Sequence, residues 1–87
     1  MTELQISKFM SENGVEWHRE NNKGKPDIII SVYISHLQEF CEIVKTFTPD
    51  YAGLEMNLRG NYMAIWMNDL FEYFNLDMDK VFVGEGD

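Results

Sequence analysis

Apolar and polar residues alternate with two different periods along this chain, and the change of period divides it into helices and strands. In the middle of the chain, apolar residues recur at helical spacing: Leu37, Phe40, Cys41, Val44 and Phe47. This spacing places them on one stripe of an amphipathic helix. Weaker versions of the same period predict a first helix over residues 3–13, which ends before Gly14, and a third helix that begins after Asn68 and runs toward Lys80.

Four other segments have patterns that are typical of strands. Residues 15–18 and 54–59 alternate apolar and polar side chains, whereas residues 27–34 and 61–67 are apolar at nearly every position. The element order is therefore α-ββ-α-ββ-α. This order predicts an α+β fold with a mainly antiparallel four-stranded sheet and helices packed on one face.

The connections and the helix starts suggest how these elements are organised. Glu20–Pro26 predicts a long first hairpin loop, and Gly60-Asn61 predicts a two-residue second turn. Thr2, Ser35 and Asn68 are good N-cap residues spaced by 33 residues in both steps. We therefore expect a single domain over residues 1–87 with αββ units at about 2–34 and 35–67, a closing helix from 68 and a frayed end at 84–87. A true duplication and the same physical solution reached twice both remain open.

Strand alternation also predicts which side chains share a sheet face. The face under the helices would hold Val15, Trp17, Ile28, Ile30, Val32, Ile34, Leu54, Met56, Leu58, Met63, Ile65 and Met67. The opposite face, called the second face below, would hold Glu16, His18, Ile29, Ser31, Tyr33, Glu55, Asn57, Arg59, Tyr62, Ala64 and Trp66.

Aromatic anchors with a polar rim make the second face typical of a protein-binding surface. The residues predicted to contact a partner are Tyr33, Tyr62, Trp66, Ile29, His18, Glu55 and Arg59. Two alternatives remain open. The third helix or the apolar segment Val81–Val83 could cover this face, or a slip of one residue in the strand register could exchange the two faces.

Charge narrows the classes of partner. Fifteen acidic and seven basic residues give a net charge of −8, the wrong sign for binding a phosphate backbone. Aromatic residues on a sheet can stack RNA bases, but Arg59 is the only cation on the second face. Direct nucleic-acid binding is therefore disfavoured. An acidic surface that serves either solubility or docking to a basic partner is predicted at Glu39, Glu42, Asp69, Glu72, Asp77 and Asp79.

Catalytic and metal-binding patterns are absent from the sequence. Cys41 and His36 stand five positions apart, on different sides of a helix, and neither histidine has neighbours at metal-ligand spacing. We therefore expect no enzyme activity, no metal and no cofactor. The lone cysteine cannot form an internal disulfide, and no apolar run is long enough to span a membrane, so a cytoplasmic protein without membrane contact is expected.

These observations favour a small acidic, non-catalytic protein-binding module or inhibitor that covers the surface of a basic, nucleic-acid-handling partner. In composition the chain resembles phage-encoded inhibitors that mimic nucleic acid or block nucleic-acid enzymes, including anti-CRISPR proteins. That resemblance is one of class and rests on no motif. The alternative is a homodimeric structural or assembly subunit that uses the second face. A binder of nucleic acid or of a small ligand is a third, less favoured alternative.

Overall fold

The structure, a computed structural model, describes residues 2–47 and 55–84, with the backbone alone for residues 44–47. Its elements are α1 (Glu3–Glu12), β1 (Glu16–Asn22), β2 (Lys25–Tyr33), α2 (Ile34–Phe47), β3 (Met56–Arg59), β4 (Tyr62–Trp66), α3 (Asn68–Tyr73) and a 3-10 helix (Met78–Lys80). This order confirms the predicted α+β fold. None of the helices in the described part of the chain is long and apolar enough to cross a membrane.

The four strands form one antiparallel sheet in the order β1-β2-β4-β3. Ile30 stands between Trp17 on β1 and Ile65 on β4, and Met56 on β3 is the next residue along that row. The register therefore keeps these predicted core residues on one face, and a slip that would exchange the faces is excluded. Leu54, assigned to the same face from the sequence, lies outside the described residues.

Helices α1 and α2 cover this core face because each presents its apolar stripe to the sheet. Phe9 of α1 and Phe40 of α2 meet with ring centroids 5.3 Å apart. Burying a side chain of this size stabilises the fold by about 1.5–3 kcal/mol. The buried core comprises Ile6, Phe9, Met10, Ile28, Ile30, Val32, Phe40, Ile65, Met67, Leu70, Phe71 and Phe82.

The segment Val81–Val83 also packs on the core face. Phe82 is buried, and its ring meets Trp17 at 5.1 Å and Phe71 at 5.6 Å between centroids. Because Trp17 points away from the second face, this segment does not lie across the second face. That alternative is therefore wrong, as is a long third helix: α3 ends at Tyr73, and Asn75 adopts a φ of 54° that a helix cannot continue.

The internal repeat is not confirmed. Thr2 caps α1 as predicted, since its Oγ accepts a hydrogen bond from the Gln5 amide in a capping box. Ser35 and Asn68 instead lie inside their helices, as the second residue of α2 and the first of α3. Leu4 is exposed, although its counterpart in the third helix is buried.

The first hairpin differs from the expected long loop. Its strands continue almost to the tip and are joined by the two-residue turn Lys23-Gly24, in which both residues have positive φ (54° and 81°). This is the backbone that a tight hairpin with right-handed twist requires. Pro26 fits into the extended strand because β4 pairs with β2 only from Ile29 onward, so no neighbour needs its missing N–H. The second turn, Gly60-Asn61, is confirmed.

Two predicted core residues lie at the surface. Ile34 is 48% exposed and Leu58 is 64% exposed. Ile34 is the first residue of α2, where the strand period no longer applies, and Leu58 lies at the end of the short edge strand β3. The predicted fraying of residues 84–87 falls almost entirely outside the described residues.

Candidate protein-binding face

The side chains of the second face lie in three rows across the sheet. The outermost row contains Tyr33, Tyr62 and Arg59, on β2, β4 and β3 respectively. The middle row contains Glu16, Ser31, Ala64 and Asn57. The inner row contains His18, Ile29 and Trp66, with Glu55 next to Trp66 where β3 begins.

The centre of this face, in the inner and middle rows, is partly covered from solvent. Ile29 and Ala64 are fully buried, and Trp66 is half-buried. The indole Nε1 of Trp66 is itself buried and has no hydrogen-bond partner among the described residues. Ile29 therefore offers no surface to a partner, contrary to the sequence-based prediction, because alternation assigns a face but does not show what covers it.

Contacts with the first hairpin tip occupy the polar groups at this inner end. The Asn22 amide donates to Asp27 Oδ2 at 3.1 Å and to Glu55 Oε1 at 3.2 Å, and Lys23 Nζ lies 3.9 Å from Glu55 Oε2. These contacts join the hairpin tip to Glu55, which directly precedes β3, the edge strand at the other end of the sheet. Glu55, predicted to contact a partner, already has two partners within the chain.

His18 and Arg59 differ in whether their side chains have partners within the described part of the chain. His18 Nε2 lies 2.8 Å from Glu20 Oε2 on the same strand, so this ring has a local partner. The side chain of Arg59 is exposed and has no hydrogen bond or ion pair with any described residue. The guanidinium of Arg59 is therefore the freer of the two for contact with another molecule.

The outer end of the second face is open. Tyr33 is 51% exposed, and Tyr62 opposite it is half-buried. Beside them lies a pocket of about 150 Å³ lined by Gly14, Glu16, Ser31, Tyr33 and Tyr62. The carboxylate of Glu16 and the two phenol groups have no hydrogen-bond partners among the described residues. Called the tyrosine pocket below, this site combines aromatic surface with an unpaired negative charge.

Sequence reasoning placed Glu16 and Ser31 on the second face but left them out of the predicted contacts. Glu16 and Ser31 are strand partners and lie one row from the tyrosines, and this position identifies them as pocket residues. Ile34 and Leu58 were missed as exposed apolar residues near the same end of the sheet. Ile34 follows Tyr33 in the chain, whereas Leu58 precedes Arg59 and, as the strand partner of Met63, belongs to the core face of β3.

The six residues of the predicted acidic surface are all exposed: Glu39, Glu42, Asp69, Glu72, Asp77 and Asp79. They belong to α2, α3 and the segment around the 3-10 helix, whose buried side chains join the core on the helical side of the sheet. The acidic surface and the second face therefore lie on opposite layers. One flat partner surface cannot contact both.

Glu3 adds a further carboxylate to this layer. Its Oε2 accepts a hydrogen bond from the Asp77 amide at 3.0 Å, which is the main reason that the pKa of Glu3 is lowered from its ordinary value. Asp77 in turn caps the 3-10 helix by accepting from the Asp79 amide at 2.9 Å. Part of the predicted acidic surface thus has a structural role in fixing the segment that carries Phe82.

A second cavity, of about 430 Å³, lies beside the first hairpin. It is lined by Arg19, Glu20, Asn21, Pro26, Asp27, Ile28, Asn68 and Met78. The volume falls in the range of small-molecule sites. Its three charged groups already have partners. Asp27 Oδ1 accepts from two backbone amides, and Glu20 Oε2 lies 2.8 Å from His18 Nε2. Arg19 donates to the Gly84 carbonyl at 3.0 Å and stacks on Trp17.

Cys41 and His36 are both half-buried on α2. Within residues 2–47 and 55–84, no three His, Cys, Asp or Glu side chains are arranged to hold a metal ion. The open end of the second face therefore remains the arrangement with the most chemistry to offer a ligand. Comparison with protein-family models, with curated proteins and with solved structures found no match for this chain.

Proposed function

We propose that this chain is a small, non-catalytic protein-binding module that docks through the open end of the second face. The main support for this proposal is the row of Tyr33, Tyr62 and Arg59. This row lies on the face of the sheet away from the helices, beside the tyrosine pocket. Hot spots in protein interfaces are enriched in tyrosine, tryptophan and arginine. The exposed Ile34, which follows Tyr33 in the chain, adds apolar surface at this end of the sheet.

The partner is proposed to carry a basic surface. The chain has a net charge of −8, which attracts a basic protein and speeds its encounter. Because the acidic layer lies behind the sheet, its contribution to this docking would be long-range attraction and not contact. In the strongest form of the proposal, docking blocks a nucleic-acid-handling surface of a cytoplasmic partner, as the class of phage-type inhibitors does.

Binding by matched tyrosine variants tests the proposal. The partner is first captured from an extract of the native host on immobilised wild-type chain, and it is then purified and titrated against each variant. We expect Tyr33→Ala to weaken its binding at least tenfold, because truncating a hot spot costs about 2 kcal/mol or more. Tyr73→Ala on α3 is the control, since Tyr73 has the same exposed fraction of 51%.

Salt separates the contributions to binding in this titration. Raising the ionic strength should lower the association rate while leaving the difference between the two tyrosine variants in place. Equal binding by Tyr33→Ala and the wild type would contradict docking through this face. A loss that is equally large in Tyr73→Ala would point to the helical layer instead.

Self-association through the same face is a second candidate. Glu16 and Arg59 carry opposite charges on the two edge strands, β1 and β3, so a two-fold axis through the face would bring each near its opposite in the second copy. Sedimentation at micromolar concentration tests this arrangement. A dimer that is lost in Tyr62→Glu would support it, and a monomer at all concentrations would exclude it.

A further inference from the structure

We propose that the tyrosine pocket binds the side chain of a single arginine from the basic partner. This inference rests on the proposed function and names the partner group that the pocket recognises. It follows from the volume of the pocket, from the chemistry of its walls and from the absence of a partner for Glu16 within the described residues.

The volume restricts the occupant to one small group. A cavity of about 150 Å³ holds a molecule the size of benzene. It is smaller than the roughly 300–1,000 Å³ that sites for drug-sized ligands occupy. A flat guanidinium group fits this size, whereas a whole nucleotide is too large to be enclosed by it.

The walls favour a planar cation. Tyr33 and Tyr62 stand directly opposite each other on adjacent strands, and both line the pocket. An aromatic ring attracts a cation to its face, and arginine uses such contacts more often than lysine does. The Glu16 carboxylate can accept two parallel hydrogen bonds from a guanidinium, a geometry that an ammonium group cannot match.

The remaining wall atoms are consistent with this occupant. Ser31 is the strand partner of Glu16 and supplies a hydroxyl that can accept a further N–H. Gly14 has no side chain, and its positive φ of 59° leads the chain from α1 into β1 at the pocket wall. Among residues 2–47 and 55–84, no basic side chain lines the pocket, so none of them neutralises the charge of Glu16 there.

The test uses N-acetyl-arginine amide as the probe and N-acetyl-citrulline amide as the control. The two molecules have almost the same shape, but citrulline carries no charge and one fewer pair of N–H donors. In a two-dimensional amide NMR titration, arginine should shift the signals of Gly14, Glu16, Ser31, Tyr33 and Tyr62. We expect citrulline to leave these signals unchanged at the same concentration.

Matched carboxylate variants complete the test. Glu16→Gln should weaken arginine binding about two- to fivefold, the size expected for a partly exposed ion pair. Tyr33→Ala should weaken it by a similar factor, since one exposed cation–π contact accounts for about two- to fivefold. Glu72→Gln removes the same charge from exposed α3 and should leave the affinity unchanged. The amide spectrum itself reports whether each variant is folded.

Several outcomes would overturn the inference. These are equal shifts with citrulline, an affinity unchanged in Glu16→Gln, or shifts confined to the acidic layer. If arginine fails to bind while the partner still requires Tyr33, the inference fails and the proposed function stands. If the chain dimerises and Arg59→Ala restores the monomer, the pocket's occupant is the second copy and not a foreign partner.

Discussion

Replacing Phe82 tests whether the segment after the 3-10 helix closes the core face. Its ring is buried and touches Trp17 and Phe71, so Phe82→Ala removes two aromatic contacts and leaves a cavity. A buried phenylalanine truncated to alanine costs about 3–5 kcal/mol. For a domain of this size each kcal/mol lowers the Tm by about 4–8 °C, so we expect a fall of at least ~12 °C.

The assays are thermal unfolding, which gives the Tm, and urea unfolding, which gives the free energy, both followed by far-UV circular dichroism and by tryptophan emission. Trp66→Phe leaves Trp17 as the sole tryptophan, and in that background Phe82→Leu should change the emission of the folded state while costing about 1–2 kcal/mol. The leucine variant keeps the test usable if the alanine variant does not fold. Val83→Ala, at the exposed neighbouring position, should stay within about 0.5 kcal/mol of the wild type.

A loss below about 1 kcal/mol for Phe82→Ala would refute this account, because that value is too small for a filled aromatic site. The segment would lie on the second face if Phe82→Leu changed the emission of Trp66 in a Trp17→Phe background. The same substitution would then leave the emission of Trp17 unchanged in the Trp66→Phe background. That result would also remove the surface on which the proposed function depends.

Three further predictions concern polar and backbone sites. Asp27→Ala leaves the Asn68 amide without its acceptor, and urea unfolding should show a loss of about 2–3 kcal/mol, as for a charge-assisted bond in a buried setting. Glu3 has a folded-state pKa below its ordinary 4.5, so it adds stability above pH 4.5 that is lost as the pH falls through the folded value. The urea midpoints of wild type and Glu3→Gln should therefore converge at low pH, and the loss of the Asp77 contact should be visible only above that range. Gly24→Ala forces a side chain into positive φ without a clash, and equilibrium unfolding should show a cost of about 1 kcal/mol.

The predicted faces agree with the structure for a simple physical reason. Strand side chains alternate strictly, so assigning Trp17 and Ile30 to the core fixes every neighbour on the same strands. The second helix was equally predictable from its stripe. Local rules of this kind need no knowledge of the rest of the molecule.

Errors arose where distant parts of the chain decide the outcome. Residues 20–26 read as a polar loop, yet backbone pairing extends both strands to Lys23-Gly24 because cross-strand hydrogen bonds do not depend on side-chain polarity. The burial of Ile29 could not be predicted, since alternation is silent about what lies above a face. The tyrosine pocket likewise depends on strand order, which brings β4 and not β3 beside β2.

The strand order also has a consequence for the rate of folding. Both hairpins close over two-residue turns, and isolated hairpins form in about 1–10 μs. Joining them requires β2 to meet β4, which pairs residues from Tyr33–Tyr62 to Ile29–Trp66, 29 to 37 positions apart. That encounter carries the larger loop-closure entropy, so we expect it to be the slow step. Tyr33 and Tyr62 would then lie where the two halves of the sheet first join, and the proposed binding row would be completed only in that step.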